Sequence, residues 1–307
     1  MEYDPLVKMM HQISEPSKGT IYHYTSADGV AGIISNHEIW MSNTAFMNDT
    51  TELRMLQNTP SILNEDDFTN ENMRHVWRSM SERRFFDTNY YMASFSMAKD
   101  LLEQWWAYGG FCIGFDAKKL SLRKGISVYR CLYTAANIKR WILKKERIEG
   151  QDKLGADEKN FMAFNVLYIA SMKYKNEHFK NEKEVRLITT SNHNWFYDNS
   201  PEMYENDLPI HVRRHPAYGF PVPYVKLFIE RDSNSVGNKV KEKEMEMKTR
   251  KLRDEGTKQR RLLPITEVII GPIAYQEEAK AACEILLAER GYKSVKVSVS
   301  SIPYRGL

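Results

Sequence analysis

Two short stretches hold residues whose types and spacing suit chemistry on a nucleotide sugar. Ile21-Tyr22-His23-Tyr24-Thr25-Ser26 sets an imidazole among four hydroxyls, and Glu182-Lys183-Glu184-Val185-Arg186 sets two carboxylates and a guanidinium at alternate positions much later in the chain. Read as a strand, the second stretch points Glu182, Glu184 and Arg186 to one side. Paired carboxylates beside an arginine can stabilise an oxocarbenium-like transition state at a glycosidic carbon. The arginine can anchor a carboxylate or bound phosphates. A neutral imidazole both donates and accepts, which suits a ribose hydroxyl. Each reading has a plainer rival: a lone histidine on a strand is often a satisfied core residue, and alternating charges often mark an exposed edge. Val185, Leu187 and Ile188 carry the second strand toward a core, which sets its carboxylates at a rim.

Further groups could complete such a site. Ser94 and Ser96 offer hydroxyls from a strand-like stretch, Tyr90 to Ser96. Asp100 to Tyr108 reads as a helix with Leu101, Leu102, Trp105 and Tyr108 on broadly one face, ended by Gly109-Gly110. Trp105 suits the core of that helix. Tyr108, at its end, is placed to close over a planar ligand. No GxGxxG follows a strand and no GxxxxGK[ST] occurs, so neither a Rossmann nor a Walker phosphate loop is present. His211 and His215 have the spacing of a helical metal pair, but Pro209 and Pro216 flank them and no glutamate lies between as in HExxH. No metal site is expected.

The elements that must position these residues follow from pattern. Thr20 to Tyr24 reads as a first strand, and Ser26 can cap a helix carrying Val30, Ile33 and Ile34. His37 to Ser42 returns as a strand. Residues 53 to 88 read as helices with a polar break at Asn64 to Asn72. Strands are expected at Phe111 to Phe115, Ile126 to Tyr133, Val185 to Thr190, Val222 to Glu230, Glu267 to Ile270 and Ser294 to Ser300, with helices across about 135 to 173 and at Glu277 to Glu289. Strands scattered among helices without regular alternation favour a mixed α+β fold with a split antiparallel core over a doubly wound sheet. Residues 1–19 form a lead-in, and 20–307 one domain with a charged insertion at about 235–262.

Composition sets the outer limits. With 307 residues, 42% hydrophobic and 12% aromatic, the chain can bury a sizeable core. Forty-four basic residues against 40 acidic ones give a net charge of +4 and a mixed surface, so overall charge does not by itself indicate nucleic acid. Residues 239–261 depart from this, with ten Lys or Arg against five Asp or Glu: a solvated helix or loop, or an arm that contacts phosphates. Cys112, Cys131 and Cys283 are widely spaced and lack a CxxC partner, which argues for a reducing cytosol. Acidic residues at the N-terminus and the lack of an 18-residue apolar run argue against export and membrane spanning.

In order, His23-Tyr24-Thr25-Ser26, Trp40-Met41-Ser42, Phe46-Met47-Asn48-Asp49, Glu52-Leu53-Arg54, Ser94-Phe95-Ser96, Gln104-Trp105 with Tyr108, Cys112-Ile113-Gly114-Phe115, Glu182-Lys183-Glu184-Val185-Arg186-Leu187-Ile188 and Ile269-Ile270-Gly271-Pro272 resemble the bacterial domain-of-unknown-function family 2971 over roughly residues 20 to 300. That family is in turn distantly similar to the ADP-ribosyltransferase superfamily, which includes DNA-modifying bacterial toxins. The resemblance implies a split β core of ADP-ribosyltransferase type and NAD as substrate. It implies catalytic roles for Glu184, assisted by Glu182, and for His23 on the ribose. Tyr24, Thr25, Ser94, Ser96, Trp105, Tyr108 and Arg186 would then line the NAD site. Tyr24 stands where the transferase pattern has a glycine, and Asn48 and Asp49 have no clear transferase counterpart. The acceptor would be DNA or RNA met through 239–261, a protein, or water, in a toxin or anti-phage defence effector. Two rivals are a non-catalytic domain that senses a nucleotide or phage component within a defence system, and a metal-dependent nuclease using Glu182, Glu184 and Asp49.

Overall fold

The computed structural model describes residues 18–47, 56, 62–82, 89–121, 126–147, 154–191, 208–214, 219–230 and 260–303. Its elements are β1 (Thr20–Thr25), α1 (Ala27–Asn36), β2 (Ile39–Asn43), α2 (Glu71–Glu82), β3 (Asn89–Ser96), α3 (Leu102–Tyr108), β4 (Phe111–Asp116), α4 (Ala117–Ser121), β5 (Ser127–Arg130), α5 (Ala135–Lys145), α6 (Ala156–Lys173), β6 (Glu184–Ser191), β7 (Ile210–Arg214), β8 (Pro221–Leu227), β9 (Ile229–Glu230), β10 (Arg260–Arg261), β11 (Ile265–Ile270), α7 (Gln276–Glu289) and β12 (Lys296–Val299). The fold is mixed α+β. Ten strands form one sheet, ordered β12-β11-β4-β1-β3-β2-β8-β7, with β6 on the other edge of β3 and β5 beyond it. Pairing is antiparallel except between β11 and β12, which α7 joins as a parallel unit.

The sheet is split at β3. One edge of β3 pairs with β6 along its whole length, from Asn89 opposite Ser191 to Ser96 opposite Glu184. The other edge is shared: β1 meets it at Tyr22–Ser96 and β2 at Ser42–Met92 and Asn43–Tyr91. Between these contacts β1 and β2 diverge and leave a fork. Local sequence produces the divergence, because β1 runs straight into α1. Ser26 accepts a hydrogen bond from the Gly29 N–H as the N-cap of α1, and His37, in the left-handed region at φ 54°, ends the helix and turns the chain into β2.

Strand alternation sorts the core by face. One face carries Ile21, Phe95, Ile113, Val185, Leu187, Val225 and Val268, packed with Val30 and Ile34 of α1 and Cys283 and Leu287 of α7. The other face is covered in two parts. Met92, Tyr129 and Ile188 pack under α2, α5 and α6, whereas Tyr22, Tyr24, Cys112 and Ile269 pack with Trp105 of α3.

Two sequence expectations change, and one strand is added. The stretch expected as one strand to Glu230 breaks into β8 and β9. Ile210–Arg214, for which the sequence predicts no element, is a strand that carries His211 and ends the sheet among the described residues; His215 lies outside the described residues. Glu182 ends a 3-10 helix, Glu177–Glu182, and Lys183 at φ 47° separates it from β6, so the two glutamates do not share a strand. Residues 1–17, Asn48, Asp49 and nearly all of 239–261 also lie outside the described residues.

Candidate functional site

His23 fills the fork. Its side chain leaves β1 on the same face as Ile21 and meets Phe95, with ring centroids 5.2 Å apart. Its Nδ1 lies 2.9 Å from the Ser94 carbonyl oxygen, which the divergence of β1 and β2 leaves open. A carbonyl only accepts, so the proton sits on Nδ1 and Nε2 is left as an acceptor. Burial pushes the His23 pKa below its ordinary value, partly offset by the bond to Ser94, so the ring is neutral near pH 7.

The glutamates form a cluster on the opposite face. Antiparallel partners share a face, and Tyr22, Ser96 and Glu184 are successive partners across β1, β3 and β6. Glu184 therefore projects away from His23. It is 2% exposed. Its Oε2 lies 2.9 Å from Lys175 Nζ and 3.3 Å from Arg186 Nε, and it accepts from Cys131 Sγ at 3.4 Å. Its backbone N–H donates to the Tyr133 hydroxyl. Burial pushes the Glu184 carboxyl up, but Arg186 and Lys175, with hydrogen bonds from Ser94 and Lys175, outweigh it and bring the carboxyl down to about 2. Glu182 reaches the same ammonium, 2.7 Å from Lys175 Nζ, and its side chain is 23% exposed. The two carboxylates thus converge by a route other than strand alternation. The Ser96 hydroxyl donates to the Glu182 carbonyl at 2.6 Å and fixes that turn against β3.

Arg186 is wholly buried, and Nη1 donates to the carbonyl of Met172 at 2.8 Å and more weakly to that of Tyr174. It anchors Glu184 and closes the C-terminus of α6, where a cation meets the negative end of the helix dipole. Of its two expected roles this is the carboxylate-anchoring one.

The aromatic residues divide similarly. Tyr24 packs edge-on to Trp105 at 4.7 Å, and its hydroxyl donates to the Ala98 carbonyl and accepts from the Leu101 N–H, each at 3.0 Å. Burial pushes that hydroxyl's pKa up. Trp105 is 5% exposed and its Nε1 donates to Asp100 at 3.0 Å. Both are framework residues of the α3 cluster. Tyr108, at the end of α3, is 45% exposed. Gly109 follows at φ 119°, and a Cβ there would stand 2.8 Å from the Thr25 carbonyl oxygen and 2.9 Å from Ser26 Cα. Glycine at 109 therefore lets the end of α3 lie against the end of β1, bringing Tyr108 to Thr25 and the fork.

Ser94 links the two faces, since its carbonyl holds His23 and its side chain lies on the Glu184 face, where it helps to keep that carboxyl charged. Sequence reasoning missed Lys175, Tyr133, Cys131 and Asp100. Lys175 follows α6 in Met172-Lys173-Tyr174-Lys175, a lysine-bearing apolar stretch that is the only local sign of a buried cation. Among the described residues no group of three or more His, Cys, Asp or Glu is placed to hold a metal ion, and no helix is long and apolar enough to cross a membrane. Cys112, Cys131 and Cys283 are buried free thiols. Comparison with protein-family models, curated proteins and solved structures finds no match.

Proposed function

We propose that this protein is an ADP-ribosyltransferase that uses NAD at the fork of its split sheet. The observation that carries the reading is the place of Ser94, whose carbonyl meets the His23 imidazole on one face while its side chain shares the other face with the Glu184–Lys175–Glu182 cluster. The ligand lies at the fork beside Ser94, next to the Glu182 turn that Ser96 holds. His23 Nε2 accepts from a ribose hydroxyl and Tyr108 stacks on the nicotinamide. Glu182 is the carboxylate of the pair that reaches solvent, so it faces the anomeric carbon as positive charge develops there. Glu184 and Lys175 act behind it as positioning residues. The C–N glycosidic bond breaks with its electron pair leaving on nicotinamide, and an acceptor nucleophile forms the new bond to the anomeric carbon and releases its proton. The acceptor is a nucleic acid or a protein, as suits a bacterial toxin or defence effector.

A second reading is favoured by the burial of Glu184 against two cations: a non-catalytic domain that binds a nucleotide without consuming it. Nicotinamide release from labelled NAD in bacterial lysate separates the two. The transferase releases nicotinamide and labels an acceptor, and Glu182→Gln and His23→Ala lose this activity while still melting cooperatively as folded proteins. A sensing domain is stabilised thermally by nucleotide with no nicotinamide released. Full turnover in Glu182→Gln would sink the assigned role of that carboxylate.

A further inference from the structure

We propose that the face of β2, β8 and β7 that bears Trp40 binds single-stranded nucleic acid. Strand register gathers Trp40 and Ser42 of β2, Tyr224 and Lys226 of β8, and His211 and Arg213 of β7 on that face. It is the same face as Ser94 and Glu184, because Ser42 pairs with Met92 of β3. The cores under α2, α5 and α6 and around α3 lie over other strands, and Trp40 remains 41% exposed.

The side chains there form a ladder of rings and cations. Trp40 and Tyr224 are 4.5 Å apart between centroids and tilted by 34°, and His211 lies 5.4 Å from Tyr224. The Arg213 guanidinium carbon is 5.6 Å from the Trp40 ring, and its Nη2 donates to Ser42 Oγ at 3.0 Å. At the far end of β8 a second ring pair, Phe46 and Phe220, sits at 6.2 Å, each ring about two-fifths exposed. From Lys226, opposite Trp40, to Phe220 is six residues, about 20 Å of strand, the length of about six stacked nucleotides at ~3.4 Å each.

Charge sets the sign of the partner. β2, β7 and β8 contain no acidic residue. Glu38, just before β2, is buried, accepts from Trp40 Nε1 at 2.7 Å and lies 3.4 Å from Lys226, so it holds the indole in place. Trp40, Phe46 and Phe220, exposed around a buried Tyr224 and set among cations on a sheet, suit unpaired bases and a phosphate backbone, whereas a duplex keeps its base faces stacked inside. This surface is independent of NAD chemistry.

The test titrates the full chain into fluorescein-labelled dT12 and into the matching 12-base-pair duplex, with anisotropy as readout. The expected result is tighter binding to dT12, weakened about 5- to 150-fold by Trp40→Ala. Arg213→Gln should lower the salt slope by about one. Tyr275→Ala, at a ring 77% exposed before α7, should change nothing. Should Trp40→Ala fail to fold, Phe220→Ala carries the same expectation. The proposal is overturned if dT12 binds no tighter than the duplex, if a folded ring variant binds like wild type, or if a glutamate-rich peptide displaces dT12 with equal affinity. Nicotinamide release is read separately, so either proposal can fail without the other.

Discussion

At the scale of the residue, the Glu-Lys-Glu-Val-Arg stretch is bound up with stability. Glu184, Lys175 and Arg186 form a buried ion cluster, and removing one partner strands the others. Glu184→Gln is therefore expected to destabilise the fold by about 3–5 kcal/mol in denaturant titrations, whatever it does to turnover; a loss under 1 kcal/mol would contradict a buried, paired carboxylate. The same residue sets an acid window. Its folded pKa, about 2, lies below the ordinary 4.5, so its contribution is fully present above pH 4.5 and lost as pH falls toward 2. Thermal melts of wild type and Glu184→Gln across that range should converge at the acid end. His23 works in a different window. Its folded pKa lies below the ordinary 6.5, so below pH 6.5 the unfolded chain takes up a proton that the folded ring resists. Stability from this group is complete above pH 6.5 and lost as pH falls below it. His23→Asn should flatten that part of the pH–stability curve, and an unchanged slope would count against a neutral, half-buried ring.

At the scale of the element, the framework depends on close approaches that only glycine permits. Gly109→Ala puts a Cβ into the Thr25 carbonyl at φ 119°, so it should lower the melting temperature by more than the few degrees typical of a surface substitution. Gly271→Ala would meet the Trp105 ring at 2.7 Å and should loosen α3 in the same way. Nucleotide-dependent stabilisation measured on Gly109→Ala would show whether docking of Tyr108 against β1 matters for ligand. The helix α1 was legible in the sequence because Ser26 and the Val30, Ile33, Ile34 spacing state it locally. β7 was not, since Ile210-His211-Val212-Arg213-Arg214 is short and polar and becomes a strand by pairing with β8.

At the scale of the whole molecule, the split sheet organises stability as well as the site. β3 and β4 are interior strands paired on both sides, whereas β7 is an edge among the described residues. Hydrogen exchange should therefore be slowest in β3 and β4 and many-fold faster in β7, and equal protection would argue against β7 as an edge strand. The two-part cover of one face leaves the β2–β8–β7 region bearing rings and cations, and places it on the same surface as the glutamate cluster.

The sequence by itself determined the α+β class, most strand positions and the polar residues worth following, because hydrophobic period, caps and glycine stops are local properties. It paired His23 with Glu184 in one pocket. Only the tertiary structure decided that they leave the sheet on opposite faces, since a face is fixed by register across β1, β3 and β6, which no local pattern encodes. It also decided that Glu182 and Glu184 meet through Lys175 and not along a strand, because the partner that draws them together comes from the end of α6.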